Sequence, residues 1–255
     1  MQKETEAFAR LLSIMNDLRE KCPWDQKQTI DTLRPLTIEE VYELSDEIVK
    51  GNWQGLKEEL GDILLHVVFY AKIGSEKKEF DIADVLHAIC EKLIIRHPHI
   101  YSDTIVANEE EVKQNWEKLK MKEGRASVLS GVPSGLPSLI KAYRVQEKAG
   151  KIGFEWDNIE DVWAKVEEEM AEFKEEVKSQ NKLKMESEFG DVMFAMVNYA
   201  RYLNIDPDTC LENTNQKFIR RFQHIEKKAK ENNKELSEMT LGEMDKYWEE
   251  AKRLE

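Results

Sequence analysis

The sequence predicts an all-α fold built as two tandem helical-bundle domains, and three observations carry that prediction. Apolar residues recur at helical spacing along most of the chain, and no convincing run of alternating strand residues interrupts them. Five acidic residues, Glu39, Glu40, Glu43, Glu59 and Asp62, return as Glu168, Glu169, Glu172, Glu188 and Asp191, every pair separated by 129 positions. A stretch rich in Gly, Ser and Pro, GRASVLSGVPSGLP, separates the two copies. The expected division is a first domain at 1–123, a linker at 124–137 and a second domain at 138–255. Each half is long enough for its own core.

The elements follow in order. Thr37 to Lys50 carries apolar residues at 38, 41, 44 and 48, and Thr37 with Glu40 forms a capping-box pattern that predicts the helix start. Glu58 to Ile73 is apolar almost all round, as a central bundle helix should be. Asp81 opens a helix to Arg96. The second half repeats the series at Val162 to Ser179, Lys184 to Leu203 and Asp208 to Asn232. Trp24-Asp25 and Trp156-Asp157 precede the two acidic motifs, and a glycine stands directly before each aspartate, Gly61 and Gly190. VKQNWEKLK at 112–120 resembles MDKYWEEAK at 244–252. Acidic residues are 51 of 255, so a single chance match to EExxE, fifteen residues, ExxD is expected only about 0.07 times per chain. Duplication is the better account of two.

Composition narrows the function classes. A net charge of −13 with 35% charged residues argues against binding nucleic acid through a basic surface and against attraction to an anionic membrane. The most apolar stretch, Ile63 to Ala71, is far short of the ~20 residues that span a bilayer. The polar N-terminus has no signal-peptide core. A cytoplasmic location is the expectation. Cys22, Cys90 and Cys210 lack zinc-ligand spacing and are expected to be free thiols.

Helical phase separates the acids from ordinary solvated faces. Glu40, Glu43 and Glu47 fall in a sector of roughly 60° bordering the apolar stripe of Val41, Leu44 and Ile48. Glu169, Glu172 and Glu176 do the same beside Met170, Phe173 and Val177. Glu59 with Asp62, and Glu188 with Asp191, are i,i+3 pairs on the following helix, where the intervening glycine is expected to let backbones approach. Four converging carboxylates repel one another in a poorly solvated cleft unless divalent cations compensate. All-oxygen ligation favours Mg²⁺ or Mn²⁺. Glu39 and Glu168 point away from the stripe and read as outer or substrate-side groups.

The doubled EExxE and ExxD motif, with CPWD at 22–25, GFEWD at 153–157 and KFIRRF at 217–222, resembles the all-α nucleoside triphosphate pyrophosphohydrolases in their tandem form of two MazG-like domains. The resemblance covers nearly the whole chain. It implies bundles that pair as a homodimer, Mg²⁺ held by the acids with Mn²⁺ as substitute, and hydrolysis of NTP or dNTP substrates, ATP among them, between the α and β phosphates. NMP and pyrophosphate would be the products, and the role a cleansing of the nucleotide pool. Metal binding falls to Glu169, Glu172, Glu188 and Asp191, with Glu168 a candidate base, and in the first repeat to Glu40, Glu43, Glu59 and Asp62. Which carboxylate takes the proton stays open. Lys217 and Arg221 form an i,i+4 pair suited to phosphates, and Asn198 lies on the face of Asp191. Lys165, Lys184 and Trp248 are further nucleotide contacts implied by the resemblance.

The first repeat departs from this pattern. Lys92 and Arg96 align with Lys217 and Arg221, but Phe69 replaces Asn198, Ile95 replaces Arg220 and Cys90 replaces Asn215. It reads as a secondary or structural site. His66 reads as a satisfied structural histidine. Two other classes were weighed. A di-iron bundle needs Glu-x-x-His pairs, and no glutamate stands three residues before any of the five histidines. A non-enzymatic helical scaffold would bind divalent metal or a basic partner without turning over nucleotide.

Overall fold

The computed structural model describes residues 2–102, 106, 108, 111, 112 and 127–255. Among the described residues all regular structure is helical, with no strand. The chain divides into two compact units, Met1–Trp116 and Glu117–Glu255. Unit one contains α1 (Gln2–Lys21), α2 (Ile30–Lys50), α3 (Trp53–Glu76), α4 (Ile82–Arg96) and the short α5 (Pro98–Tyr101). Unit two contains α6 (Ser138–Gly150), α7 (Ile159–Ser179), α8 (Lys182–Tyr202), α9 (Pro207–Glu231) and α10 (Leu241–Leu254). No described helix is long and apolar enough to cross a membrane.

Each unit is organised on one antiparallel helical hairpin, α2 with α3 and α7 with α8. The turns between them are tight because one residue adopts the left-handed conformation. Gly51 does so at φ 65°, and Gln180 at φ 54° in the second copy. Glu47 and Glu176, at the last turn before each hairpin, fasten these junctions. Glu47 bonds Lys50 Nζ at 2.6 Å and the Asn52 amide. Glu176 accepts from Ser179 Oγ at 2.8 Å and Lys184 Nζ at 3.1 Å. α1 lies against α3 as α6 lies against α8.

Helix α2 begins seven residues before the predicted start. Thr29 accepts from Thr32 N, and Thr32 Oγ1 accepts from Thr29 N at 2.8 Å, so the capping box sits at 29–32 rather than 37–40. Pro35 is carried inside the helix. Its missing donor disturbs little, because Leu33 and Leu36 on either side pack into the core with Met15, Val68, Phe69 and Ile73. Thr37 is therefore mid-helix. Its hydroxyl bonds Leu33 O at 3.0 Å, His66 Nδ1 at 2.6 Å and Tyr70 OH at 2.8 Å, which gives the buried His66 its partner. The other predicted helices start within about five residues of expectation, with Asp81, Asn158, Asn181 and Asp206 as N-caps, while α1, α5, α6 and α10 have no counterpart among the helices the sequence predicts.

The Gly- and Ser-rich stretch has structure where it is described. Ser127 Oγ accepts from Leu129 N at 3.2 Å and opens a 3₁₀ turn at Val128–Gly131 that packs on α6. Positions 113–120 of the predicted VKQNWEKLK repeat and 124–126 of the predicted linker lie outside the described residues.

Candidate active site

In unit two, α7 presents Glu169 and Glu172 to Glu188 on α8. One carboxylate oxygen from each lies within 4.8 Å of the other two. Asp191 follows one turn beyond Glu188, and its charge is felt there. Loss of hydration, then repulsion from Glu172, Asp191 and Glu169, holds the Glu188 carboxyl above the ordinary carboxylate range. Unit one builds the same cluster from Glu40, Glu43 and Glu59. Glu59 is raised by desolvation and then by Glu43, Asp62 and Glu40, and Glu40 by desolvation and then by Asp62. Among the described residues these two triads are the groupings with metal-ligand spacing. An all-oxygen set whose desolvation and mutual repulsion raise Glu188 and Glu59 fits a hard divalent cation.

What surrounds the two triads differs. In unit two the acids open onto a cleft of about 290 Å³ between α6, α7 and α8, lined by Glu169 and Asp191, by the buried Val162, Ala195 and Asn198, and by the exposed Phe194. The Gly153–Asn158 loop supplies Phe154 and Trp156, and the 3₁₀ turn supplies Leu129. Tyr202 OH donates to Trp156 O at 2.6 Å and ties that loop to α8. Arg201 bonds Glu155 Oε2 at 3.0 Å and donates through Nε to Asn198 Oδ1 at 3.1 Å, which orients the buried Asn198 amide. A Cβ at Gly150 would lie 2.6 Å from Glu155 Oε2, so a side chain there would push the Glu155 carboxylate from its place beside Arg201.

In unit one Phe69 stands where unit two has Asn198 and is 3% exposed, with the Arg19 guanidinium 5.6 Å above its ring. His66, at the Ala195 position, is also buried. Bulk that fills this space in one repeat is absent in the other.

The remaining predicted residues are placed as follows. Lys165 lines the cleft and bonds Glu169 at 2.6 Å and Glu168 at 2.9 Å, two hydrogen bonds that raise its pKa. Glu168 is exposed outside the triad, as helical phase predicts. Lys184 pairs with Glu176 at the hairpin junction and does not line the cleft. Arg221 bonds Glu255 at 3.1 Å and lies 5.4 Å over the Trp248 ring. With Lys217, whose charge also reaches Glu255, they form a separate basic and aromatic cluster on α9 and α10. Gly61 and Gly190 do not mark close backbone approach within the chain, since a Cβ at either would meet nothing within 4 Å. Their position on the outer side of α3 and α8 is the reason. Sequence reasoning gave no role to Gln146, Glu155 or Arg201. The quoted GFEWD motif was the available signal for Glu155, and none existed for the other two.

Comparison with known proteins shows the family. The chain matches the MazG nucleotide pyrophosphohydrolase domain twice, over residues 28–101 and 158–226. It is 41% identical over 250 residues to the nucleoside triphosphate pyrophosphohydrolase/pyrophosphatase MazG of Thermotoga maritima, covering 96% of this chain and 95% of that protein. It is 38% identical over 255 residues to the nucleoside triphosphate pyrophosphohydrolase of Escherichia coli K12, covering 96% and 97%. A solved structure, that of a mazG-related protein from Thermotoga maritima, aligns with a TM-score of 0.40 and 27% identity over 44% of this chain and 98% of that one.

Proposed function

Because this chain belongs to the MazG nucleotide pyrophosphohydrolase family, we propose that unit two hydrolyses nucleoside triphosphates between the α and β phosphates with the help of Mg²⁺. The observation that carries this reading is the apolar cleft opening directly beside the acidic triad. Such a cleft suits a base and sugar, and the triad suits the phosphates through a cation.

In this reading Glu169, Glu172, Glu188 and Asp191 hold the metal. Bound Mg²⁺ supplies neutralisation of the phosphate charge and acidification of an attacking water. The carboxylates themselves orient that water, with Glu168 at the rim as a proton acceptor. Lys165 exchanges its bonds to Glu168 and Glu169 for a phosphate oxygen, which frees those acids for their roles. Asn198, held by Arg201, fixes the nucleoside in the cleft. Lys217 and Arg221 bind phosphate on release of Glu255, Trp248 beside them is a nucleotide contact, and Lys184 becomes one on release of Glu176. Unit one holds metal through Glu40, Glu43, Glu59 and Asp62 but offers no equivalent space for a nucleoside beside it, so its contribution is structural.

We read the working form as a homodimer. Leu60, Leu64 and Val67 on α3, and Phe189, Met193 and Met196 on α8, are each more than a third exposed although the sequence reads α3 as a central helix. A second copy would bury these faces. Sedimentation at micromolar protein should give twice the chain mass, and a monomer would remove that part of the proposal.

The deciding experiment incubates the protein with each NTP and dNTP and Mg²⁺ and identifies products by phosphorus NMR. NMP with pyrophosphate is expected, abolished by chelator. Sole release of orthophosphate with NDP, or full turnover in chelator, would overturn the reading.

A further inference from the structure

Gln146 on α6 is 7% exposed and lines the cleft of unit two. Its Nε2 donates to the main-chain oxygen of Phe194 at 2.8 Å. A carbonyl accepts and cannot donate, so this bond fixes the amide with Nε2 toward α8 and leaves Oε1 as the remaining group. That Oε1 is buried and has no hydrogen-bond partner. Buried acceptors are nearly always paired, and an unpaired one in a binding cleft marks a place where a ligand donor completes the site.

Unit one makes the contrast. Where α1 packs on α3 it buries Met15 and Phe69, both apolar. Where α6 packs on α8, unit two buries two amides, Gln146 and Asn198. The two amides therefore accompany the open cleft, whereas in unit one Phe69 and His66 stand on α3 where unit two has Asn198 and Ala195.

We propose that Gln146 is a base-reading residue, whose Oε1 accepts a hydrogen bond from an N–H donor on the nucleobase. This rests on the reading that unit two binds nucleoside triphosphates. In ATP the donor is the 6-amino group, since the ring nitrogens of adenine are acceptors. A base lacking a donor would leave Oε1 unpaired, and a site built to bond a polar group discriminates strongly against an analogue without it.

The test compares ATP with purine riboside 5′-triphosphate, which differs only in lacking the 6-amino group. Pyrophosphate release should favour ATP in kcat/KM by about tenfold. In Gln146→Leu and Gln146→Met, which cannot accept that bond, the ratio should fall to near one. The ratio is measured within each protein, so altered stability of a variant does not mimic the effect. A wild-type ratio near one, or a wild-type ratio retained in both variants, would overturn the role of Gln146. If ATP is not cleaved at all, the proposed function fails, and the same ratio read calorimetrically as binding of the uncleaved triphosphates still decides this inference. Absence of binding by either triphosphate overturns it as well.

Discussion

Removing single acids from the motif of each repeat should produce unequal losses. Glu172→Ala strikes the unit-two triad and Asp191→Ala the aspartate one turn beyond it, where Glu169 and Asp191 line a 290 Å³ cleft. Asp62→Ala and Glu43→Ala strike a cluster beside the buried Phe69 and His66. Losing a group that stabilises charge in the transition state typically costs ~3 kcal/mol, or about a hundredfold in rate. The unit-two variants should lose at least that much kcat/KM, because the group removed acts where substrate sits. The unit-one variants should stay within about threefold of wild type, because no nucleoside is held beside their triad. Folding should not confuse the comparison. Each removed acid repels its neighbours, as the raised carboxyls of Glu188 and Glu59 show, so its loss relieves strain in the metal-free chain. The assay is steady-state pyrophosphate release from all four variants, with circular dichroism to confirm helical content. Equal losses in the two repeats would refute the reasoning from cleft geometry, and a larger loss in unit one would invert it.

Acid–base behaviour offers two further checks. The folded-state pKa values of Glu188 and Glu59 are raised by desolvation and like charge, so the stability they contribute is full below the unfolded carboxylate value and lost as pH rises through the folded one. Glu188→Gln should therefore raise the metal-free Tm at pH 7.5, leave it nearly unchanged at pH 4, and reduce the stabilisation seen on adding Mg²⁺. A lower metal-free Tm at pH 7.5 would contradict this. Glu243 behaves oppositely. Its bond to Lys234, followed by bonds from the Thr240 backbone and side chain at the α10 cap, lowers its pKa to about 2. That contribution is present above the unfolded carboxylate value and is lost as pH falls toward 2. Thr240→Ala should cost about 1 kcal/mol of stability and move the Glu243 midpoint upward in a carboxyl NMR titration; an unmoved midpoint would show that the cap does not set it.

The sequence by itself determined the helical class and the duplication, and it singled out four acids in each repeat, three of which the fold brings within ligand spacing. These are local or periodic properties: i,i+3 and i,i+4 spacing fixes which carboxylates share a helix face, whatever packs around it. The substitution of Phe69 for Asn198 was likewise visible as a difference between copies. The start of α2 was misplaced because Thr37 and Glu40 have the spacing of a capping box, whereas the helix starts at the Thr29–Thr32 box and Leu33 and Leu36 of its first turns pack into the core. Tertiary structure alone decided that Phe69 and His66 are buried where unit two has a cleft, and that Gln146 and Arg201 reach that cleft from other turns of the fold. Gln146 and Phe194 are 48 positions apart, as are no two members of either acidic motif. Periodicity reports neighbours along one helix, whereas the orientation of a buried amide depends on the carbonyl that another helix presents to it.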